Sequence, residues 1–172
     1  MNAQRRLRLA LAPLMCLVTL AGCAIDGLIN VAPGKTSLDE VRKMVGEPNA
    51  RLELPGGTQT LYYSRQSFGR ESYAVRIGSN GIVTAVEPLF SAANFARLRV
   101  NETTDREVRA LLGPPYSVER MTRKPQTAWD YWTRLDAVPT RVWVIFSDDG
   151  VLREVVKLDE SPPLEVCGGP GC

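Results

Sequence analysis

Apolar residues recur along this chain in two rhythms. Leu38, Val41, Met44 and Val45 fall on one side of a helical period, as do Val108, Leu111 and Leu112, and each set predicts a short amphipathic helix. Around Leu61 and Tyr63, Tyr73 to Ile77, Trp129 and Tyr131, and Val142 to Phe146 every second residue is apolar, which predicts strands buried on one face. The helix limits follow from local chemistry. Ser37 with Glu40, and Thr104 with Glu107, have capping-box spacing, in which a hydroxyl and a carboxylate satisfy free amides of the first turn. Gly46 and Gly113 then end the helices, and Pro48 and Pro115 prevent their resumption.

Asn80-Gly81 and Asp149-Gly150 are hairpin signals, because tight two-residue turns need positive φ, which these residues tolerate. They join strands near 71–78 and 82–87, and near 140–147 and 151–158. Another strand precedes each hairpin, at Thr60 to Arg65 and Thr127 to Arg134. Leu28 to Val31 and Ser91 to Arg97 predict a second short helix ahead of each amphipathic one.

These elements occur twice. Residues 36–48 and 103–115 share six of thirteen positions, and 72–83 aligns with 141–152. The fold class is therefore α+β, two tandem repeats, each of short helices packed on one face of an antiparallel β-meander. Boundaries fall at 34–90 and 91–158, after an export segment at 1–22 and a tether at 23–33, with a tail at 159–172. A unit of about 60 residues is marginal alone, so the repeats are expected to lean on each other.

Alternation also sorts the aromatic residues. Leu61, Tyr63, Tyr73, Val75, Ile77, Trp129, Tyr131, Val142, Val144 and Phe146 share the core face. The opposite face takes Tyr62, Ala74, Arg76, Asp130, Trp132, Arg134, Trp143 and Ile145. Aromatic residues with nearby Arg have the composition of a binding hot spot, which makes Tyr62, Trp132, Arg134, Trp143 and Ile145 the candidate partner-binding residues. A second reading stands beside it, in which the same residues pack one repeat against the other.

Charge and cysteine usage depend on the N-terminus. Arg5, Arg6 and Arg8 precede an apolar run, Leu9 to Leu20, that leads to small residues, the layout of a secretory signal. The run is short for a spanning helix, which needs about 20 residues. Leu20-Ala21-Gly22-Cys23 resembles the lipobox of bacterial lipoproteins, which implies acylation of Cys23 and a lasting membrane anchor. Removal of residues 1–22 lowers Lys plus Arg from 21 to 18 against 19 Asp plus Glu. The near-neutral remainder offers no basis for a nucleic-acid partner. Cys167 and Cys172 remain, able to close a loop through Gly168 to Gly171 in an oxidising compartment or to stay free or pair in trans. With no His and so few Cys, the chain suggests no metal site, and most general-base chemistry loses its usual proton carrier. No cofactor motif stands out either, and the expectation is a protein that is not an enzyme.

The motif running from Pro33-Gly34 and Thr36 through Glu40-Val41 and Gly46 to Pro48, followed by an aromatic strand and an Asn-Gly hairpin, resembles the SmpA/OmlA (BamE-like) family of small outer-membrane lipoproteins. The resemblance covers most of residues 30–158, with Asn101 in the place of Gly34 in the second copy. Doubling of the unit resembles the tandem architecture of the β-lactamase inhibitory proteins. What the first resemblance implies is two short helices on a three-stranded sheet and a role in outer-membrane protein assembly or envelope integrity, with the β-barrel assembly machinery as the implied partner. The second implies an inhibitor or sensor lipoprotein that binds an envelope enzyme. Ala24 after the lipobox Cys resembles the sorting signal for the outer membrane, facing the periplasm.

Overall fold

The computed structural model describes residues 24–67 and 69–162. Cys23, Cys167 and Cys172, which carry the lipid and disulfide expectations, lie outside the described residues. After a 3-10 helical segment at Ala24–Asn30 come helix α1 (Leu38–Val45) and strands β1 (Ala50–Glu53), β2 (Gln59–Ser64), β3 (Ser72–Ile77) and β4 (Val83–Pro88). The order then recurs, with helices α2 (Ala92–Ala96) and α3 (Asp105–Leu112) and strands β5 (Ser117–Arg120), β6 (Gln126–Leu135), β7 (Val138–Ser147) and β8 (Leu152–Asp159). Both sheets are antiparallel meanders, β1-β2-β3-β4 and β5-β6-β7-β8. The fold is α+β in two similar halves, with four strands per sheet rather than three.

Both amphipathic helices start as their sequences require. The Ser37 and Thr104 hydroxyls accept from the amides of Glu40 and Glu107, whose carboxylates accept in return from the cap amides at 2.8 and 2.7 Å. Each start is also tied to a hairpin turn: Leu38 N–H donates to Gly81 O and Asp105 N–H to Gly150 O, both at 2.9 Å. Gly34 and Asn101 open these connections at φ of 79° and 66°. Asn is the non-glycine residue best suited to that region, so the exchange of Gly for Asn preserves the backbone path.

The helices end on tyrosines of the sheets. Tyr63 O–H donates to Gly46 O at 3.1 Å and Tyr131 O–H to Gly113 O at 3.0 Å, giving a terminal helix carbonyl a partner in each half. Val41 and Val45 pack with Leu61, Tyr63, Val75, Ile77 and Val83 in the first core. Val108, Leu112 and Phe95 pack with Trp129, Tyr131, Val142, Val144 and Phe146 in the second. Every residue assigned by alternation to the core face belongs to or packs against these two clusters.

The halves stack in layers: α1, first sheet, α3, second sheet. The far side of the first sheet is closed by the end of α3, where a β-carbon on Gly113 would lie 2.9 Å from Leu89 Cδ1 and 3.1 Å from Tyr62 Cδ1. Phe90 packs against both the Tyr62–Ala74–Leu89 cluster and the second core. From the first half, Gln66 donates to Pro114 O at 3.0 Å.

Two outcomes follow. Gly46 and Gly113 adopt the same backbone, φ 89° and 73° with ψ −166° and −165°, a region in which side chains are strained by roughly 1–3 kcal/mol. Only Gly113 is also crowded. Gly113→Ala should therefore cost at least about 1 kcal/mol more than Gly46→Ala in denaturant melts; equal costs would mean that the stacking contact contributes nothing. The second outcome concerns alkali. Burial raises the phenol of Tyr63, to about 12, and that of Tyr131 further in the same direction. A phenol raised in the folded state stabilises it fully below the unfolded value of about 10, and that contribution is lost as pH rises through the folded value. Stability should hold to about pH 9 and fall beyond 10, and Tyr63→Phe should make that fall shallower while costing about 1 kcal/mol at neutral pH; an unchanged alkaline slope in the variant refutes the assignment.

Candidate functional site

The candidate residues divide by location. Tyr62 is only 2% exposed, packed with Ala74 and Leu89 beneath Gly113. It is therefore a repeat-packing residue and not a contact for a partner, because the second half covers the face on which alternation put it. Arg134 is exposed at the end of β6 and lines a cleft of about 210 Å³ with Arg70, Ser72, Tyr73 and Phe90, between the halves. Trp132, Trp143 and Ile145 share the outer face of the second sheet, where the register sets Trp132 opposite Arg141 and Trp143 opposite Asp130.

That face is organised around a buried charge. Asp130 is 3% exposed, and its carboxylate accepts from Arg141 Nη2 at 2.7 Å and from Trp132 Nε1 at 3.0 Å. The hydrogen bond to Asp130 raises the Arg141 guanidinium further still and keeps it charged. Held in this way, Arg141 stacks on two rings, 5.2 Å from the centroid of Trp132 and 4.9 Å from that of Trp143. Tyr116 lies 4.5 Å from the Trp132 ring, and Arg70 of the first half lies 5.6 Å from it. Such cation–π contacts contribute about 0.5–1 kcal/mol each where partly exposed.

Trp132 is consumed by this arrangement. Tyr116, Arg141 and Arg70 surround its ring, Asp130 takes its indole N–H, and its backbone N–H donates to Gln66 Oε1 at 3.1 Å. Gln66 and Arg70, the latter also paired with Glu160 at 2.7 Å, bind the first half to the edge of the second sheet. Trp132 thus joins the halves.

Trp143 differs. Besides Arg141 it borders an open groove of about 270 Å³ with Ala128, Ile145, Val156, Met121 and Glu119. Ile145 is the buried floor of that groove rather than an exposed contact. Leu158, 49% exposed, and Tyr116, 48% exposed, extend the apolar area to either side. The arrangement suits recognition: an apolar groove with one aromatic wall stacked on an arginine that a buried carboxylate holds in place. Among the described residues no group of three or more metal-ligating side chains occurs, and no helix is long and apolar enough to cross a membrane.

Sequence reasoning passed over Asp130 as an anchor and did not name Arg141, Tyr116, Gln66 or Arg70. Arg141 was within its reach, since it stands two residues before Trp143 on the same strand face. Gln66 and Arg70 were not, because they act across the boundary between the repeats.

No protein-family model and no curated protein sequence matches the chain. Among solved structures it is similar to a DUF4309 family protein, YjgB, from Bacillus subtilis, at 14% identity and a TM-score of 0.31 over 76% of this chain and 82% of that one. It is also similar to a candidate β-lactamase inhibitor protein from Streptococcus mutans, at 13% identity and a TM-score of 0.32 over 73% of this chain and 84% of that one. Neither likeness bears on function at that level.

Removing the cation that faces a buried carboxylate leaves that charge uncompensated, at a cost of about 3 kcal/mol or more. Arg141→Ala, which leaves the 3%-exposed Asp130 carboxylate without its cation, should therefore destabilise the protein by about that amount in chemical unfolding. Trp143→Ala, at the groove edge, should cost less than half as much. Equal effects would show that Trp143 is as structural as the pair beneath it.

Proposed function

We propose that this protein is a lipid-anchored envelope protein that acts by binding a protein partner through the outer face of its second sheet, with no covalent chemistry of its own. The observation that carries this reading is the asymmetry between two equivalent faces. In the first half the middle of the face, Tyr62, Ala74 and Leu89, is buried beneath the end of α3, with Arg76 and Glu87 half exposed beside it, whereas in the second half the face carries an open groove beside Trp143 and Val156 and the exposed Leu158 and Tyr116. An apolar area of this kind on a secreted domain marks a contact surface. The anchor is the acylated Cys23 implied by the lipobox resemblance, and the outer membrane is the site of action implied by Ala24. Outer-membrane protein assembly or envelope integrity is the process suggested by the repeat motif.

The test is affinity capture with the full-length lipidated protein from solubilised outer membrane, comparing the native chain with Trp143→Ala. Recovery of the β-barrel assembly machinery places the protein in outer-membrane assembly. Recovery of one soluble envelope enzyme instead favours the inhibitor reading. In either case Trp143→Ala should reduce the yield about tenfold or more, as hot-spot tryptophans do. An undiminished yield from the folded variant contradicts the assigned face.

A further inference from the structure

The groove beside Trp143 has a charge pattern across the sheet as well as an apolar floor. Strand register puts Glu119 of β5 opposite Ala128 of β6, Ala128 opposite Ile145 of β7, and Ile145 opposite Glu154 of β8. One row across the sheet therefore reads carboxylate, apolar, apolar, carboxylate, with neighbouring strands about 5 Å apart. Trp143, one row along on the same face, forms the wall.

Both carboxylates are exposed, and among the described residues neither takes part in an ion pair. The surrounding cations are mostly engaged elsewhere. Arg141 is held by Asp130, Arg120 by Asp148 and Arg153 by Asp149. Lys157 stands opposite Val142, on the other face of the sheet. With Asp130 and Arg141 cancelling, Glu119 and Glu154 make the two flanks of the groove negative, while Arg123 and Lys124, in the β5–β6 turn, stand past its Met121 end.

From this pattern we infer that the groove receives a basic segment of a protein partner: one apolar side chain on the Ala128–Ile145 floor against Trp143, and a Lys or Arg on each flank facing Glu119 and Glu154. The inference rests on the outer face being the contact surface and specifies what that surface recognises. Charge complementarity selects the occupant, because an acidic or uncharged segment would leave both carboxylates unpaired at the edge of a desolvated contact. The stem of a Lys or Arg also packs on apolar surface while its head reaches a rim carboxylate.

The test uses the full chain in the detergent that extracts it, titrated with the blocked pentapeptide Lys-Thr-Leu-Thr-Lys and followed by the indole N–H resonance of Trp143. Controls replace both Lys by Glu, or Leu by Gly. The basic peptide should shift the Trp143 signal and leave that of the buried Trp129 in place. Glu119→Gln with Glu154→Gln, both at exposed positions that leave the fold intact, should weaken binding roughly three- to tenfold at low salt, and salt should abolish the difference. If the Glu peptide binds equally well, or the double variant binds unchanged, the charge assignment is overturned while the contact face stands. If no peptide moves the Trp143 signal, the groove itself is overturned, and the capture experiment remains the separate test of the face.

Discussion

A four-stranded sheet has two faces, while each half of this molecule supplies helices for only one of them. In the first half the second face is closed by the neighbouring half, with Gly113 seated against Leu89 and Tyr62. That contact requires a helix end without a side chain, and the tyrosine–glycine hydrogen bonds put the helix end there. Tyr131 holds the Gly113 carbonyl from one side while the Tyr62 ring occupies the space a β-carbon on Gly113 would need. Disturbing either sheet therefore disturbs the stacking of the halves.

No helices follow the second half among the described residues, so its outer face is left to side chains. The equivalent positions carry different residues. Where the first sheet has Tyr62 and Ala74, the second has Asp130 and Trp143, and Ser64 corresponds to Trp132. A small Ala beside Tyr62 leaves room for a helix end, whereas Trp143 and the Arg141 stack fill that space. The second face is thus unsuited to receive a further repeat in the manner of the first. It instead keeps a groove with one aromatic wall and acidic flanks.

Much of this was legible in the residues. Helix limits, hairpins and the assignment of side chains to core faces followed from capping boxes, Asn-Gly and Asp-Gly turns and strict alternation, all of which act over a few residues. The edge strands β1 and β5 escaped notice because Ala50 to Glu53 and Ser117 to Arg120 are four residues long, and the latter is exposed throughout. The β6–β7 turn at Asp136 and Ala137, both at positive φ, carries no glycine to announce it. The site was legible only in outline. Alternation tells which face a residue occupies but not what lies over that face, so Tyr62 and Trp143 looked alike although one is covered by the second half and the other borders open space. Ile145 appeared as a contact because its neighbours' side chains, which turn it into a floor, come from three other strands.

We propose that the outer face of the first sheet is closed from within and that of the second by a partner. Oxidative footprinting of the protein in intact envelopes, compared with the purified chain, decides it. Tyr62 should be protected in both, and Trp143, Met121 and Leu158 should be oxidised in the purified protein but shielded in the envelope. Equal oxidation of Trp143 and Leu158 in the two settings, or ready modification of Tyr62 in the purified chain, would contradict it.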